Sequence, residues 1–218
     1  MRSLRDSLLL YAVTDRSWLN GRTLYDAVAE ALEGGATMVQ LREKFLDEKH
    51  FLEEAIALKP LCHRFGAPLI INDNVELALA CGADGVHVGQ SDMELSAARA
   101  KLGPDRIIGV SAHSVEEARL AEAGGADYLG SGAVFHTGTK LNVTLLPLAE
   151  LKRITAAVSI PVVAIGGITA DNLPSLKGSG CAGAALVSAI FAAKDIRSAS
   201  RHLLSLAEDA FTVNRSKE

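Results

Sequence analysis

Three side chains in the segment VQLREK, residues 39–44, are spaced so that they face one way. Gln40, Arg42 and Lys44 occupy alternate positions, and side chains two apart on a β-strand point to the same face. A packed core does not accept two unpaired cations, because a buried charge without a partner is very costly. The segment therefore either lies at the surface or projects these groups into a site that binds anions.

Carboxylates follow other short apolar runs of the chain. Asp73 comes directly after PLIIN, and Asp92 comes shortly after GVHVG. Two cations, an amide and two carboxylates suit a polyphosphate bound with a divalent metal, since Mg²⁺ usually takes one or two protein carboxylates and completes its shell with phosphate oxygens. Arginine and lysine would neutralise the remaining charge. The alternative is a pair of structural ion pairs, Arg42 with Asp73 and Lys44 with Asp92.

A second anion site is suggested by AIGGIT and LVSAIF, near the end of the chain. Gly166 and Gly167 permit a close approach of the backbone. In many barrels, backbone N–H groups at this place hold a phosphate, helped by a helix N-terminus. A glycine pair is also typical of a tight turn, which is the alternative reading of this motif.

The segment FHTGTK, residues 135–140, offers two threonine hydroxyls and Lys140. These groups could hold an anion or a carboxylate, and a mobile polar loop is the equally simple interpretation. His113 and His136 stand at the ends of apolar runs and are candidates for acid–base chemistry. His87 lies inside an apolar run, which favours a hydrogen-bonded core histidine.

Eight short apolar runs alternate with segments of helical periodicity, which is typical of parallel β-α units with right-handed crossovers. The runs are LLLYAV, TMVQL, PLIIN, GVHVG, RIIGVS, DYLGSGAV, PVVAIGG and GAALVSA. Eight such units predict an α/β protein with a (β/α)8 TIM barrel, forming a single domain over residues 1–218 with a frayed tail at 212–218. A doubly wound open sheet is the alternative. In a barrel of this kind the active site lies at the carboxyl ends of the strands, where the polar groups stand.

Composition narrows the classes of function. The chain has 218 residues, of which 49% are hydrophobic and 5% aromatic, so we expect a core of aliphatic side chains. The net charge of -4 argues against nucleic-acid partners, and no segment has membrane-spanning length. Three cysteines without CxxC spacing indicate buried thiols in a reducing compartment, so we expect a cytoplasmic protein without membrane partners.

An ordered set of segments resembles the thiamine phosphate synthase family over nearly the whole chain. The segments are YAVTD, VQLREK, LIINDN, DGVHVGQSD, IIGVSAHS, ADYLGSGAVFHTGTK and PVVAIGGI. The resemblance implies a (β/α)8 barrel and a Mg²⁺-dependent transferase. Such an enzyme condenses 4-amino-5-hydroxymethyl-2-methylpyrimidine diphosphate with thiazole phosphate, both small-molecule substrates, and yields thiamine phosphate and pyrophosphate.

The resemblance also implies a role for each position that matches the family's motifs. The pyrimidine diphosphate would be bound by Gln40, Arg42, Lys44 and Asn72, and the metal by Asp73 and Asp92. Ser111 and Lys140 would contact the pyrimidine substrate and its pyrophosphate. The thiazole side would be lined by Thr137, Gly138 and Thr139, and its phosphate bound by Gly167, Val187 and Ser188. The catalytic groups would be Arg42, Lys44, Ser111 and Lys140.

The chain departs from the family pattern at Asn74, where arginine is common, and at His136 and Gly138, where proline is common. Two alternative functions stay open. One is a thiazole tautomerase of the same fold, whose catalytic histidine would be His113. The other is a non-catalytic relative that binds a thiazole or thiamine phosphate. The sequence also leaves open whether the protein forms a homo-oligomer.

Overall fold

The computed structural model describes residues 2–19, 21–89, 93–137 and 144–212. Eight parallel strands form a closed barrel in chain order, and β1 pairs with both β2 and β8. The strands are β1 Leu10–Val13, β2 Met38–Leu41, β3 Leu69–Asn72, β4 Gly85–Val88, β5 Ile107–Ser111, β6 Tyr128–Gly132, β7 Val162–Ile165 and β8 Gly183–Leu186. The predicted barrel is therefore confirmed, and the open sheet is wrong.

One short helix precedes β1, and the remaining helices follow the strands around the outside of the barrel. They are α1 Leu4–Ser7, α2 Leu24–Glu33, α3 Glu48–Arg64, α4 Val75–Ala80, α5 Leu95–Leu102, α6 Val115–Ala123, α7 Leu148–Ala157, α8 Ser188–Phe191 and α9 Ile196–Phe211. A 3₁₀ helix over Leu173–Leu176 stands between β7 and β8 in place of a longer helix. None of the described helices is long and apolar enough to cross a lipid bilayer. Of the predicted tail, residues 213–218 lie outside the described part of the chain.

Local sequence sets where the helices begin and end. The Asn74 side chain caps α4 by accepting a hydrogen bond from the Leu77 N–H, so this departure from the family pattern has a structural role. At the end of α2, Gly35 has φ +104°, and the Ala36 N–H donates to the Ala31 carbonyl at 3.0 Å. This is a left-handed glycine turn, which ends the helix and lets the chain enter β2.

The barrel interior holds its own apolar cluster, apart from the layer between strands and helices. Tyr11, Met38, Ile70, Tyr128 and Val163 are its larger members, and each is at most 1% exposed. Most of this cluster is aliphatic, as the composition predicts. Its two largest side chains are nevertheless tyrosines, so two phenolic hydroxyls lie inside the barrel and need hydrogen-bond partners there.

The three cysteines are free and buried, as predicted. Burial raises the pKa of the Cys62 thiol to about 12 and that of Cys181 to about 11. These thiols therefore remain protonated and unreactive at neutral pH, which fits a packing role.

The loop that follows β2 is held by a group of charged side chains. Arg16, in the 3₁₀ helix Arg16–Trp18, donates from Nε to Glu43 at 3.1 and 3.2 Å and from a terminal nitrogen to Glu54. The Glu43 side chain is only 3% exposed. Burial raises the pKa of the Glu43 carboxyl, and the hydrogen bonds and charge of Arg16 offset only part of this effect. Arg16 thus fixes the backbone that carries the two neighbouring cations of VQLREK.

The raised pKa of Glu43 predicts a pH-dependent stability. Between the ordinary value of 4.5 and the higher folded value, the folded protein binds more protons than the unfolded chain. The free energy of unfolding should therefore fall as the pH rises through that interval, relative to a Glu43→Gln variant that has no such group. Urea unfolding of both proteins across a pH series measures the difference. Glu53→Gln, on the exposed face of α3, is the control, and a difference that does not change with pH would contradict the prediction.

Candidate active site

A pocket opens at the carboxyl ends of the strands, and all eight strands contribute to its wall. Its lining comprises Tyr11, Val13, Gln40, Arg42, Asn72, His87, Ser111, His113, Gly130, Gly132, Ala133, Thr137, Val163, Ile165, Gly166, Gly167, Ile168, Ala185, Leu186, Val187 and Ser188. This is the end of the barrel at which the sequence places the polar groups. Of the three residues that alternate along VQLREK, Gln40 and Arg42 line this pocket, so these two side chains project into the site.

Most of the described residues that the sequence predicts for the site line the pocket. These are Gln40, Arg42, Asn72, Ser111, Thr137, Gly167, Val187 and Ser188. Lys44 and Asp73 are exposed and follow the ends of β2 and β3, outside the lining itself. Asp92, Gly138, Thr139 and Lys140 lie outside the described residues, so their assignment stays a prediction.

Arg42 is held in place by the loop that follows β1. Its Nη1 lies 3.4 Å from Oδ2 of Asp15, and both side chains are 15% exposed. The Arg42 N–H also donates to the Thr14 hydroxyl at 2.9 Å. The partner of Arg42 is therefore Asp15 and not Asp73, the partner in the predicted structural ion pair. A guanidinium has five N–H donors, so this one contact leaves Arg42 able to bind an anion in the pocket.

Asp73 lies on a sharp turn after β3. The backbone of this residue has φ +62°, which is uncommon for a residue other than glycine. Its N–H donates to the His87 carbonyl at 2.8 Å, and its carboxylate accepts from the Asn72 amide. The turn thus places a carboxylate at the rim of the mouth, beside the wall that holds Arg42.

The opposite wall is built from backbone. Gly166 and Gly167 have φ of +95° and +65°, and a Cβ on Gly167 would lie 2.2 Å from the His136 carbonyl oxygen. The Asn172 amide donates to the Gly167 carbonyl at 2.9 Å and holds this turn. Beside it, α8 begins at Ser188, and the first N–H groups of a helix have no partner within the helix. This corner can therefore offer backbone N–H groups to an anion.

A chain of hydrogen bonds crosses the barrel beneath the pocket. Nε2 of Gln40 donates to the Tyr11 hydroxyl at 2.7 Å, and the hydroxyls of Tyr11 and Tyr128 are 2.8 Å apart. The Tyr128 hydroxyl is 2.9 Å from Nδ1 of His87, whose Nε2 is 3.0 Å from Oγ of Ser111. Burial raises the pKa of both phenols above their usual range, so both stay neutral.

Sequence reasoning missed Tyr11 and Tyr128. The available signal was a phenol inside each of two buried strands, because a buried hydroxyl requires a partner. His87 has hydrogen-bond partners, as predicted for a core histidine, but it also lines the pocket. Hydrogen bonds thus connect the interior of the barrel to the residues that line the pocket.

The two other candidate histidines differ in position. His113 lines the pocket, its side chain is 49% exposed, and its Nδ1 is 3.2 Å from the Glu117 carboxylate. His136 is exposed and is absent from the described lining. Of the two, His113 is therefore placed to reach a molecule in the pocket.

Comparison with known proteins agrees with this arrangement. The family described as thiamine monophosphate synthase matches residues 10–190 of the chain. A protein from Ruminiclostridium cellulolyticum named thiamine-phosphate synthase is 49% identical over 197 residues, covering 90% of this chain and 94% of the relative. A protein of the same name from Clostridium acetobutylicum is also 49% identical, covering 90% of this chain and 93% of the relative.

A solved structure is also closely similar to this chain. The thiamine phosphate pyrophosphorylase from Pyrococcus furiosus superposes with a TM-score of 0.88 at 40% sequence identity, covering 95% of this chain and 99% of that one. A match of the family over most of the chain, relatives near half identity and a close structural likeness all agree. The chain therefore belongs to the thiamine monophosphate synthase family.

Proposed function

We propose that this protein is a thiamine-phosphate synthase, which joins the pyrimidine diphosphate to the thiazole phosphate and releases pyrophosphate. The observation that carries the proposal is one pocket with two different walls, one of polar and cationic side chains and one of backbone. Arg42 and Asn72 stand on the wall formed by β2 and β3, and Gly167 and Ser188 stand on the wall formed by β7 and β8. An enzyme that joins two phosphorylated molecules needs both walls at one mouth.

The wall formed by β2 and β3 carries Arg42 and is called the cationic wall. It is proposed to bind the diphosphate. Arg42 is kept at the mouth by Asp15, 3.4 Å away, and Lys44 is exposed two residues further along the same segment. Charge-assisted hydrogen bonds from such groups to phosphate oxygens are among the stronger polar contacts in proteins. Lys140, outside the described residues, is proposed to join them, and Gln40 and Ser111 to contact the pyrimidine.

The donor set fits a Mg²⁺ ion. Asp73 offers an exposed carboxylate at the rim, and Mg²⁺ takes oxygen ligands, usually only one or two of them protein carboxylates. We propose Asp73 and Asp92 as its protein ligands. When bound, the ion would neutralise negative charge on the diphosphate and on the pyrophosphate that leaves.

The reaction breaks the bond between the pyrimidine's methylene carbon and the diphosphate oxygen, and the electron pair leaves with the oxygen. Positive charge remains on the pyrimidine's methylene group, and the thiazole nitrogen donates its electron pair to form the new C–N bond. Arg42 and Lys44 would stabilise the charge that grows on the leaving group, which is electrostatic catalysis. Thr137 and the wall at Gly167 would hold the thiazole phosphate in line. No protein nucleophile is required.

One observation favours a second candidate activity. His113 lines the pocket and is hydrogen-bonded to Glu117, so it could move a proton on a thiazole carboxylate in the manner of the tautomerase. The cationic wall argues for the synthase, because an isomerisation of the thiazole has no use for a diphosphate site.

The proposed function predicts pyrophosphate release that requires both substrates and Mg²⁺. Purified protein should release pyrophosphate and form thiamine phosphate in equal amounts, and EDTA should abolish both products. The measurement is a coupled pyrophosphate assay with product separation by chromatography. Isomerisation of the thiazole without pyrophosphate release would favour the tautomerase, and binding without turnover would favour the non-catalytic relative.

The two walls should respond separately to mutation. Arg42→Gln and Lys44→Gln should each raise the KM for the pyrimidine diphosphate by about 10- to 150-fold, since a lost charge-assisted hydrogen bond costs about 1.5–3 kcal/mol. The rate constant should fall as well, because the leaving group carries more charge in the transition state. Gly167→Ala should instead impair the thiazole phosphate, since its Cβ would lie 2.2 Å from a carbonyl oxygen.

Steady-state kinetics with each substrate varied, together with melting temperatures, test this separation. Arg153→Gln removes a cation from the exposed face of α7, where the side chain is 70% exposed, and should leave both KM values unchanged. If Arg42→Gln lowers the melting temperature sharply while both KM values stay at the parent's values, the charges of VQLREK are structural.

A further inference from the structure

The hydrogen-bonded chain from Gln40 to Ser111 reaches the pocket at both ends. Gln40 lies on β2 and Ser111 on β5, across the barrel from each other, and both side chains line the pocket. Between them, Tyr11 and Tyr128 are at most 1% exposed. A continuous line of hydrogen bonds through the two phenols and His87 therefore joins the two ends.

The hydrogen bonds of this chain could all be donated toward Ser111 or all toward Gln40, and either direction would give each group a partner. The Gln40 amide fixes which direction is used. Nε2 of Gln40 donates to the Tyr11 hydroxyl at 2.7 Å. The Tyr11 hydrogen must then find an acceptor, and among the described residues the Tyr128 oxygen at 2.8 Å supplies it. Tyr128 has accepted one hydrogen and must donate its own, for which Nδ1 of His87 at 2.9 Å is the acceptor.

This direction determines the tautomer of His87. An Nδ1 that accepts a hydrogen bond carries no proton, so the hydrogen of the neutral imidazole is on Nε2. Nε2–H then donates to Oγ of Ser111 at 3.0 Å. Because Oγ accepts from His87, the Ser111 hydroxyl hydrogen points away from His87. The hydroxyl oxygen keeps one further lone pair, so Ser111 can still accept a second hydrogen bond.

Packing around the rings keeps this arrangement in one geometry. A Cβ on Gly109 would lie 2.1 Å from Cζ of Tyr128, and a Cβ on Gly130 would lie 3.0 Å from Cε1 of His87. Glycine at these positions therefore makes room for the two rings side by side. The ring centroids of Tyr11 and Tyr128 are 6.0 Å apart, with an edge-to-face angle of 72°. Packing this close leaves the rings little room to turn.

We propose that Tyr128 is a positioning residue, which sets the tautomer of His87 and thereby fixes the orientation of the Ser111 hydroxyl at the pyrimidine half of the substrate. The inference rests on the proposed function for the identity of the ligand. The direction of the hydrogen bonds rests on the protein alone.

The test uses ¹⁵N NMR of histidine-labelled protein without ligand. The parent should show one tautomer at His87, with Nε2 protonated and Nδ1 not, and the signal is assigned by its loss in His87→Gln. Tyr128→Phe removes the donor to Nδ1, so His87 should lose this single tautomer. Tyr25→Phe is the matched control, since it removes the hydroxyl of an exposed tyrosine on α2, outside this chain of hydrogen bonds.

Kinetics supply a second readout. Tyr128→Phe should lower kcat/KM for the pyrimidine diphosphate about 5- to 10-fold, the range expected for one hydrogen bond, with the KM for the thiazole phosphate unchanged. Tyr25→Phe should leave kcat/KM unchanged, because its hydroxyl takes no part in the chain.

A parent His87 protonated on Nδ1 would overturn the proposal, since the chain would then run the other way. Equal spectra and equal kinetics for the two tyrosine variants would overturn it as well. Absence of coupling activity in the parent would instead refute the proposed function, because the tautomer is read without ligand.

Discussion

A closed barrel of eight strands has an interior that is only wide enough for side chains to fill. Any polar atom placed there must find its partner inside the barrel, since water is excluded. Tyr11 and Tyr128 meet this condition by bonding to each other and onward to Gln40 and His87. The requirement explains why Gly109, on the neighbouring strand, has no side chain, and it links the core to the residues that face the pocket.

The same closure explains the form of the site. All strands run parallel, so their carboxyl ends meet at one mouth, and each strand supplies only one or two side chains there. One wall of the mouth uses charged side chains, and these need support from outside the barrel: Asp15 for Arg42 and Arg16 for Glu43. The other wall uses backbone at Gly167, supported by Asn172. Two anions can thus be held by two different kinds of contact.

The sequence predicts the barrel and the mouth because both follow from local patterns. Apolar runs mark the strands, and the polar residue after each run falls at the carboxyl end whatever the neighbouring strand contains. The hydrogen-bond and ion-pair partners of those residues do not follow from local patterns. Tyr11 meets Tyr128 across 117 positions of sequence, and Arg42 pairs with Asp15 where local charge alone suggested Asp73. Such pairs depend on strand register and on ring orientation, which no local pattern encodes.

The pairing of β1 with β8 has a consequence for synthesis on the ribosome. Leu10 is paired with Ala184, so the first strand leaves the ribosome long before its second neighbour exists. At translation rates of about 5–20 residues per second, that interval is roughly 10–35 s. Throughout it the nascent sheet has two open edges, which are surfaces prone to pairing with other chains. The pocket draws on all eight strands, so a nascent chain that lacks β8 has no complete pocket.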